Sequence, residues 1–242
     1  MSEKKYQPGY YDAERPDIKS LVDRFFQAWE KEARAMGKEE LVLPPNICFS
    51  RKIGVGALEI ADLIAQDTGL SVMDREIIEY ISIAADLSTR TVKIFDERYP
   101  GTGTNFFNMI LGEGSFVLND FSRQLAQAIV ALAGLGPLVF VGRGAHLFLP
   151  RDRVLAVRLV GTKEYRVKRV ASIMGQDEKV IKKEIDRVDS EQAQFFKKVF
   201  GRSDAPNEEF DLVIVRDHFQ DSRQTATLIK QAYEMKFGPL PK

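Results

Sequence analysis

From Ile18 to Trp29 the apolar residues Ile18, Leu21, Val22, Phe25, Phe26 and Trp29 share one helical face, with Lys19, Asp23, Arg24 and Lys31 elsewhere. That spacing predicts an amphipathic helix, and Pro44-Pro45 ends the lead-in. The pattern then changes to short apolar runs at 46–50, 70–73, 137–141, 154–160 and 211–215. The run ending in Val141 is too uniformly apolar for a sheet with one wet face, which favours a parallel strand buried on both sides. Helical patterns separate the runs. One contains Ile60, Leu63 and Ile64, and another follows Asp74. A third is capped by Ser88, and a long one carries Val117, Phe121, Leu125, Ala128 and Leu132 in register. A charged helical region covers about 162–200 and a last helix about 221–237. Residues 1–16 read as a polar arm, and 99–115, with Gly101, Gly103, Gly112 and Gly114, as a loop or loose insertion.

Strands alternating with helices predict an α/β fold with a doubly wound, five-stranded parallel sheet. Ligands are then expected at the carboxyl ends of the strands, in the loops after Ser50, Met73, Val141 and Val160. The length of 242 residues suits one such domain over 46–242, preceded by an extension over 1–45. The aromatic stripe of that extension must be covered, either by the body of its own chain or by a second copy in a homodimer.

Charge narrows the partners. Lysine plus arginine and aspartate plus glutamate each number 35, so no net field draws nucleic acid or an anionic membrane, and neither is expected as a partner. Any anion site must be local. Cys48, with His146 and His218 as the two histidines, gives neither a disulfide nor a zinc-ligand cluster. A cytoplasmic location is expected, and no run approaches the roughly 20 apolar residues of a membrane span.

The first strand runs into Ser50-Arg51-Lys52-Ile53-Gly54-Val55-Gly56-Ala57-Leu58-Glu59. Glycines let the main chain approach phosphate, and the amides opening the next helix favour negative charge. A tight strand-to-helix turn with no ligand would need the same residues. The full phosphate-loop signature places lysine and then a hydroxyl after the second glycine. Here those positions are Ala57 and Leu58, so neither side chain can bridge phosphates or hold magnesium. Arg51 and Lys52 are candidates for the missing charge and Glu59 for the metal, although Lys52 and Glu59 also suit an ordinary surface.

Several ordered blocks point in one direction. They are the Ser50-to-Gly56 loop, Asp74-Arg75-Glu76-Ile77-Ile78, Val141-Gly142-Arg143 followed by His146 and Pro150, the paired Arg166 and Arg169, Val188-Asp189, and Phe210-Asp211-Leu212-Val213-Ile214. In order and spacing the chain from Ile47 to about Val215 resembles the cytidylate-kinase-like family of nucleoside monophosphate kinases. The resemblance implies a three-layer P-loop kinase-like fold, a helical lid over about 172–205, ATP and Mg2+, and nucleotide substrates. It also implies phosphoryl transfer to a monophosphate, with CMP or dCMP first among acceptors. Members of this branch often lack the loop lysine. The chain departs from the pattern at Gln192, where relatives commonly carry a lid arginine, and at Gly144 and His146, near positions that commonly include an acidic residue.

On that resemblance Lys52, Arg143 and Arg187 are the candidate catalytic cations. Ser50, Arg51, Gly54, Val55, Gly56, Ala57, Asp74, Arg75, Arg166, Arg169 and Asp189 are the candidate phosphate and nucleotide contacts. Arg143 ranks first, because its planar fork follows directly on a buried strand and suits a monophosphate; a structural salt bridge is the competing account. Asp74 either caps the helix it precedes or orients acceptor or metal. Lys163, Arg166 and Arg169, three residues apart, form either a solvated face or a lid hinge facing phosphate. His146 reads as a satisfied histidine rather than an acid or base, and Cys48 as core. The alternatives to a nucleotide kinase are a degenerate nucleotide sensor or interaction protein, and a kinase for another small metabolite.

Overall fold

The structure is a computed structural model that describes residues 10–11, 17–35, 43–84, 89–90, 93 and 119–240, with the side chains of 29–35 excepted. The expected Ser88 cap, the 99–115 loop, Val117 and the side chain of Trp29 lie outside the described residues.

The five expected strands all form: β1 (Asn46–Arg51), β2 (Ser71–Met73), β3 (Leu138–Val141), β4 (Val154–Val160) and β5 (Leu212–Val215). They lie in the order β2-β3-β1-β4-β5 and every pairing is parallel, Ile47 opposite Val139 and Leu155, for example. The period of two along β1 divides the core. Ile47 and Phe49 pack with α2 (Ala57–Thr68), while Cys48 faces α3 (Arg75–Ile83) and α4 (Asp120–Gly134). The last helix, Ser222–Phe237, shares the α2 side. Helices therefore cover both faces, and the three-layer P-loop kinase-like α/β fold is as expected.

Local chemistry places the ends. Asn119 and Ser122 form a reciprocal capping box that starts α4. The charged region expected over 162–200 is two helices, α5 (Lys163–Met174) and α6 (Glu178–Phe200). Left-handed Gly175 ends α5, and the Asp177 carboxylate accepts the Lys179 N–H to start α6. The last helix is α7 (Ser222–Phe237), which with the N-terminal α1 (Ile18–Ala35) makes seven α-helices with assigned bounds among the described residues.

The N-terminal helix α1 (Ile18–Ala35) packs against α3, with Val22 and Phe26 fully buried in the core of its own chain. The face carrying those two residues is thus used intramolecularly. Replacing a buried phenylalanine by alanine costs about 3–5 kcal/mol. Phe26→Ala should therefore lower unfolding free energy by about 3 kcal/mol in a urea titration, and a loss under about 1 kcal/mol would show that α1 is an appendage.

Candidate phosphoryl-transfer site

Parallel strands deliver their carboxyl ends to one edge, and the candidate residues gather there. Ser50, Arg51 and Lys52 from β1, Arg75 after β2, Gly142-Arg143-Gly144 after β3, and Arg158 and Val160 of β4 line one cleft, roofed by Gln192, Phe195 and Phe196 of α6. Its cavity volume is about 80 Å³.

Arg143 is held by geometry rather than by chance. It is one of two non-glycine residues with positive φ among the described residues, at 55°, between Gly142 at 93° and Gly144 at 66°. An L-residue pays roughly 1–2 kcal/mol for that backbone. The guanidinium stacks on Phe195 with 4.1 Å to the ring centroid and is ion-paired to Glu79. Gly144 has no room for a side chain, because a Cβ there would stand 2.5 Å from the Phe200 ring. Its glycine thus allows α6 to close over the loop.

The cleft concentrates positive charge. Burial, then the nearby Arg75, pulls the Arg51 pKa down to about 10. Arg143 is likewise lowered to about 10 by burial, with Arg75 and Arg51 adding to the shift against Glu79. Both stay protonated at neutral pH. Glu76 pairs with Arg75 at 2.7 Å, and Asp204 with Arg158 at 2.7 Å and Lys52 at 3.5 Å. Among the described residues, buried Arg51 Nη1 and Arg143 Nε have no hydrogen-bond partner. Donors left in that state cost about 1–3 kcal/mol each, so they are suited to an incoming anion.

A second crevice, about 30 Å³, follows the Gly loop from Arg51 to Glu59 and is bounded by Arg169, Tyr10 and Tyr11. Gly54 and Gly56 are both left-handed. At Gly56 it is the left-handed backbone, φ 77°, that favours glycine; the guanidinium of Arg169, whose Nη2 would stand 2.9 Å from a Cβ there, is the movable end of a flexible side chain. Arg169 in turn pairs with Glu59 at 2.5 Å. Ala57 is buried, and no group of three or more metal-ligating His, Cys, Asp or Glu side chains occurs among the described residues. Among the described residues, Glu59, tied to Arg169, is the one carboxylate lining this crevice. A single carboxylate already paired with a guanidinium is not by itself a cage for magnesium.

Other candidates are placed differently. Asp74 is buried and accepts the Ile77 N–H at 3.0 Å, the helix-capping geometry. Lys163, Arg166 and Arg169 do not form one solvated face: they pair with Asp186, Asp189 and Glu59 respectively. Buried Arg166 also donates to the Ile53 carbonyl at 3.3 Å, which fastens the lid helices to the Gly loop. Asp189 holds it at 2.9 Å. Arg187 is half exposed, pairs with Glu184 and Glu191 along its own helix, and lines neither crevice. Its raised pKa stems from the Glu184 hydrogen bond.

Several participants had not been singled out from sequence. Arg158, an arginine inside the apolar run Val154–Val160, carried a signal. Phe195 and Phe196 resembled ordinary lid apolar residues. Tyr10 could not be placed from sequence at all; it packs on the lid cluster with Ile53, Ile181 and Ile185 and donates to Glu184 at 2.7 Å.

This edge of the sheet, a glycine loop beside an arginine-lined cleft beneath a helical lid, defines a P-loop protein of the kinase class. A model of the cytidylate kinase-like family matches residues 46–218, and the chain belongs to that family. No curated protein matches it. Among solved structures, an uncharacterized protein from Eubacterium ventriosum is 16% identical, with 79% of this chain and 98% of that one covered and a TM-score of 0.57, which supports the fold. Shikimate kinase from Bacteroides thetaiotaomicron (13% identity, 79% and 97% covered, TM-score 0.39) is more distant. So is a gluconokinase from Sinorhizobium meliloti (12%, 82% and 99%, 0.42). At those scores neither bears on substrate.

His146, behind the Arg143 loop, tests the electrostatics of this region. It is buried 4.7 Å from the Phe210 ring, and burial, then Arg151, lowers its pKa to about 3. It is neutral at pH 7, so its 3.9 Å approach to Glu209 is not an ion pair. A folded-state pKa below the unfolded value near 6.5 means that the unfolded chain binds the proton first. The associated stability is present above about pH 6.5 and is lost on acidification toward about pH 3. Relative to His146→Phe, the wild type should lose stability on descending from pH 7 to 4, by up to about 1.4 kcal/mol per pH unit. Parallel pH curves would refute the neutral, buried assignment.

Proposed function

We propose that the chain is a phosphotransferase that moves the γ-phosphoryl group of ATP to a small phosphorylated acceptor, a nucleoside monophosphate with CMP or dCMP first. One observation carries this reading: the Gly-loop crevice and the arginine-lined cleft share Arg51 and Lys52. A donor phosphate on the loop and an acceptor phosphate in the cleft would meet at those two cations. Phosphoryl transfer needs little covalent chemistry from a protein; it needs alignment, charge neutralisation and exclusion of water.

The roles follow from position. Gly54 and Gly56 admit the donor phosphates to the main chain, and Arg169 stands over them. Arg51, Arg75 and Arg143 bind the acceptor phosphate, with Arg143 offering Nε from a fixed, stacked geometry. Lys52 and Arg51 lie where charge develops between the two. A cavity of about 80 Å³ is smaller than the roughly 300 Å³ of a typical small-molecule site, so α5 and α6 must move outward for a nucleotide to enter. The competing reading, a sensor that binds nucleotide without turnover, is favoured by Ala57 and Leu58 at the loop positions that would otherwise carry lysine and hydroxyl.

ADP release measured across nucleoside monophosphates at saturating Mg-ATP separates the two. Turnover with at least one acceptor is expected, and binding without turnover would establish the sensor. Arg143→Asn removes the guanidinium while keeping a residue that tolerates a left-handed backbone. It should weaken acceptor affinity about 10–100-fold, the loss of one or two charged hydrogen bonds, with ATP affinity unchanged. Unaltered acceptor affinity would make Arg143 a structural residue.

A further inference from the structure

The most fully buried cation of the described chain belongs to neither crevice. Arg216 follows β5 and heads the largest fully buried side chains. All its donors meet neutral acceptors. Nε donates to the Val55 carbonyl at 3.0 Å. Nη1 donates to the Phe219 carbonyl and to the Thr225 hydroxyl at 2.5 Å, and Nη2 to the Gln220 carbonyl and the Ser222 hydroxyl, both at 2.9 Å. No carboxylate pairs with it among the described residues. Buried charges are ordinarily neutralised by a partner, and burial accordingly lowers its pKa. A guanidinium nevertheless stays charged at neutral pH.

Its grip on Val55 has a directional consequence. Val55 lies between left-handed Gly54 and Gly56 in the Gly loop. Across a planar trans peptide the carbonyl and the next N–H point in opposite directions. Holding the Val55 carbonyl toward Arg216 turns the Gly56 N–H the other way, and Gly56 lines the crevice. An unrestrained peptide could present the carbonyl, whose partial negative charge repels phosphate.

We propose that Arg216 is a positioning residue of the donor site. It fixes the Val55–Gly56 peptide with its N–H toward the triphosphate, and from behind the loop its unneutralised charge supplies part of what Ala57 cannot. This rests on the Gly loop being the donor site, as read above.

Wild type, Arg216→Lys and Arg216→Met are compared by calorimetric titration with Mg-ATP and with inorganic tripolyphosphate. Circular dichroism verifies folding, and acceptor monophosphate binding serves as the internal control. Arg216→Met should lose about tenfold or more in affinity for both probes. Arg216→Lys should recover most of that loss at pH 7, and acceptor binding should not change. Equal impairment of the two variants, or none, overturns the inference while wild-type binding leaves the donor-site reading standing. Failure of the wild type to bind either probe overturns both.

Should Arg216→Met not fold, Arg216→Lys is titrated at pH 7 and about pH 9.5. Burial draws a lysine pKa down; Arg169 lowers it further, and Glu59 and Tyr165 oppose, being the charged and titratable groups that bear on this position. ATP affinity should then fall more steeply at high pH in the lysine variant than in the wild type, where Arg51 begins to titrate in that range. An identical pH response in the two proteins would overturn the inference.

Discussion

Mutual repulsion among Arg51, Arg75 and Arg143 is the constraint to which the rest of the site answers. Each of these side chains alone would seek water. They are instead brought together because β1, β2 and β3 end on one edge of the sheet. The repulsion and the burial both act to lower the Arg51 and Arg143 pKa values. Glu76 and Glu79 offset part of it, and the backbone strain at Arg143 adds to it. Such an arrangement is costly when empty. An anion that accepts from Arg51 and Arg143 relieves the repulsion and satisfies two buried donors at once.

The same edge explains the lid. Arg166 links α5 to the Ile53 carbonyl and to Asp189 of α6, so the Gly loop and the lid helices are tied to one another. Phe195 and Phe200 close α6 onto the Arg143 loop, and the absence of a side chain at Gly144 lets them do so. Tyr10 reaches from the N-terminal extension into the lid cluster. Residues that the sequence presents as a charged, solvated surface are thereby a set of specific pairs that hold the cleft closed.

The sheet was legible because burial on both faces leaves its mark residue by residue: the runs around Ile47, Val139 and Val157 could form little else. The start of the last helix at Asp221 was legible too, but the break between α5 and α6 at Gly175 and Asp177 was not, because the charged stretch around it reads as one continuous helical region. Side-chain partnerships were harder to foresee. Arg187 shows Glu184 and Glu191 at three and four residues' distance, a local pattern open to reading. Arg166 with Asp189 depends on the angle between α5 and α6, which no local pattern records. Arg216 is more hidden still, since its partners are mostly main-chain carbonyls and carry no side-chain signature. The cleft was thus anticipated through Arg143 and Arg75, while Arg158 and the aromatic roof required the packed structure.

The proposed phosphotransferase needs the arginines to form an anion site contiguous with the Gly loop. Crystallography in the presence of tungstate, a heavy analogue of phosphate, tests it most directly. Tungstate is expected within hydrogen-bonding distance of Arg51 Nη1 and Arg143 Nε. Saturating tungstate that leaves the cleft empty, or binds elsewhere on the surface instead, would contradict it.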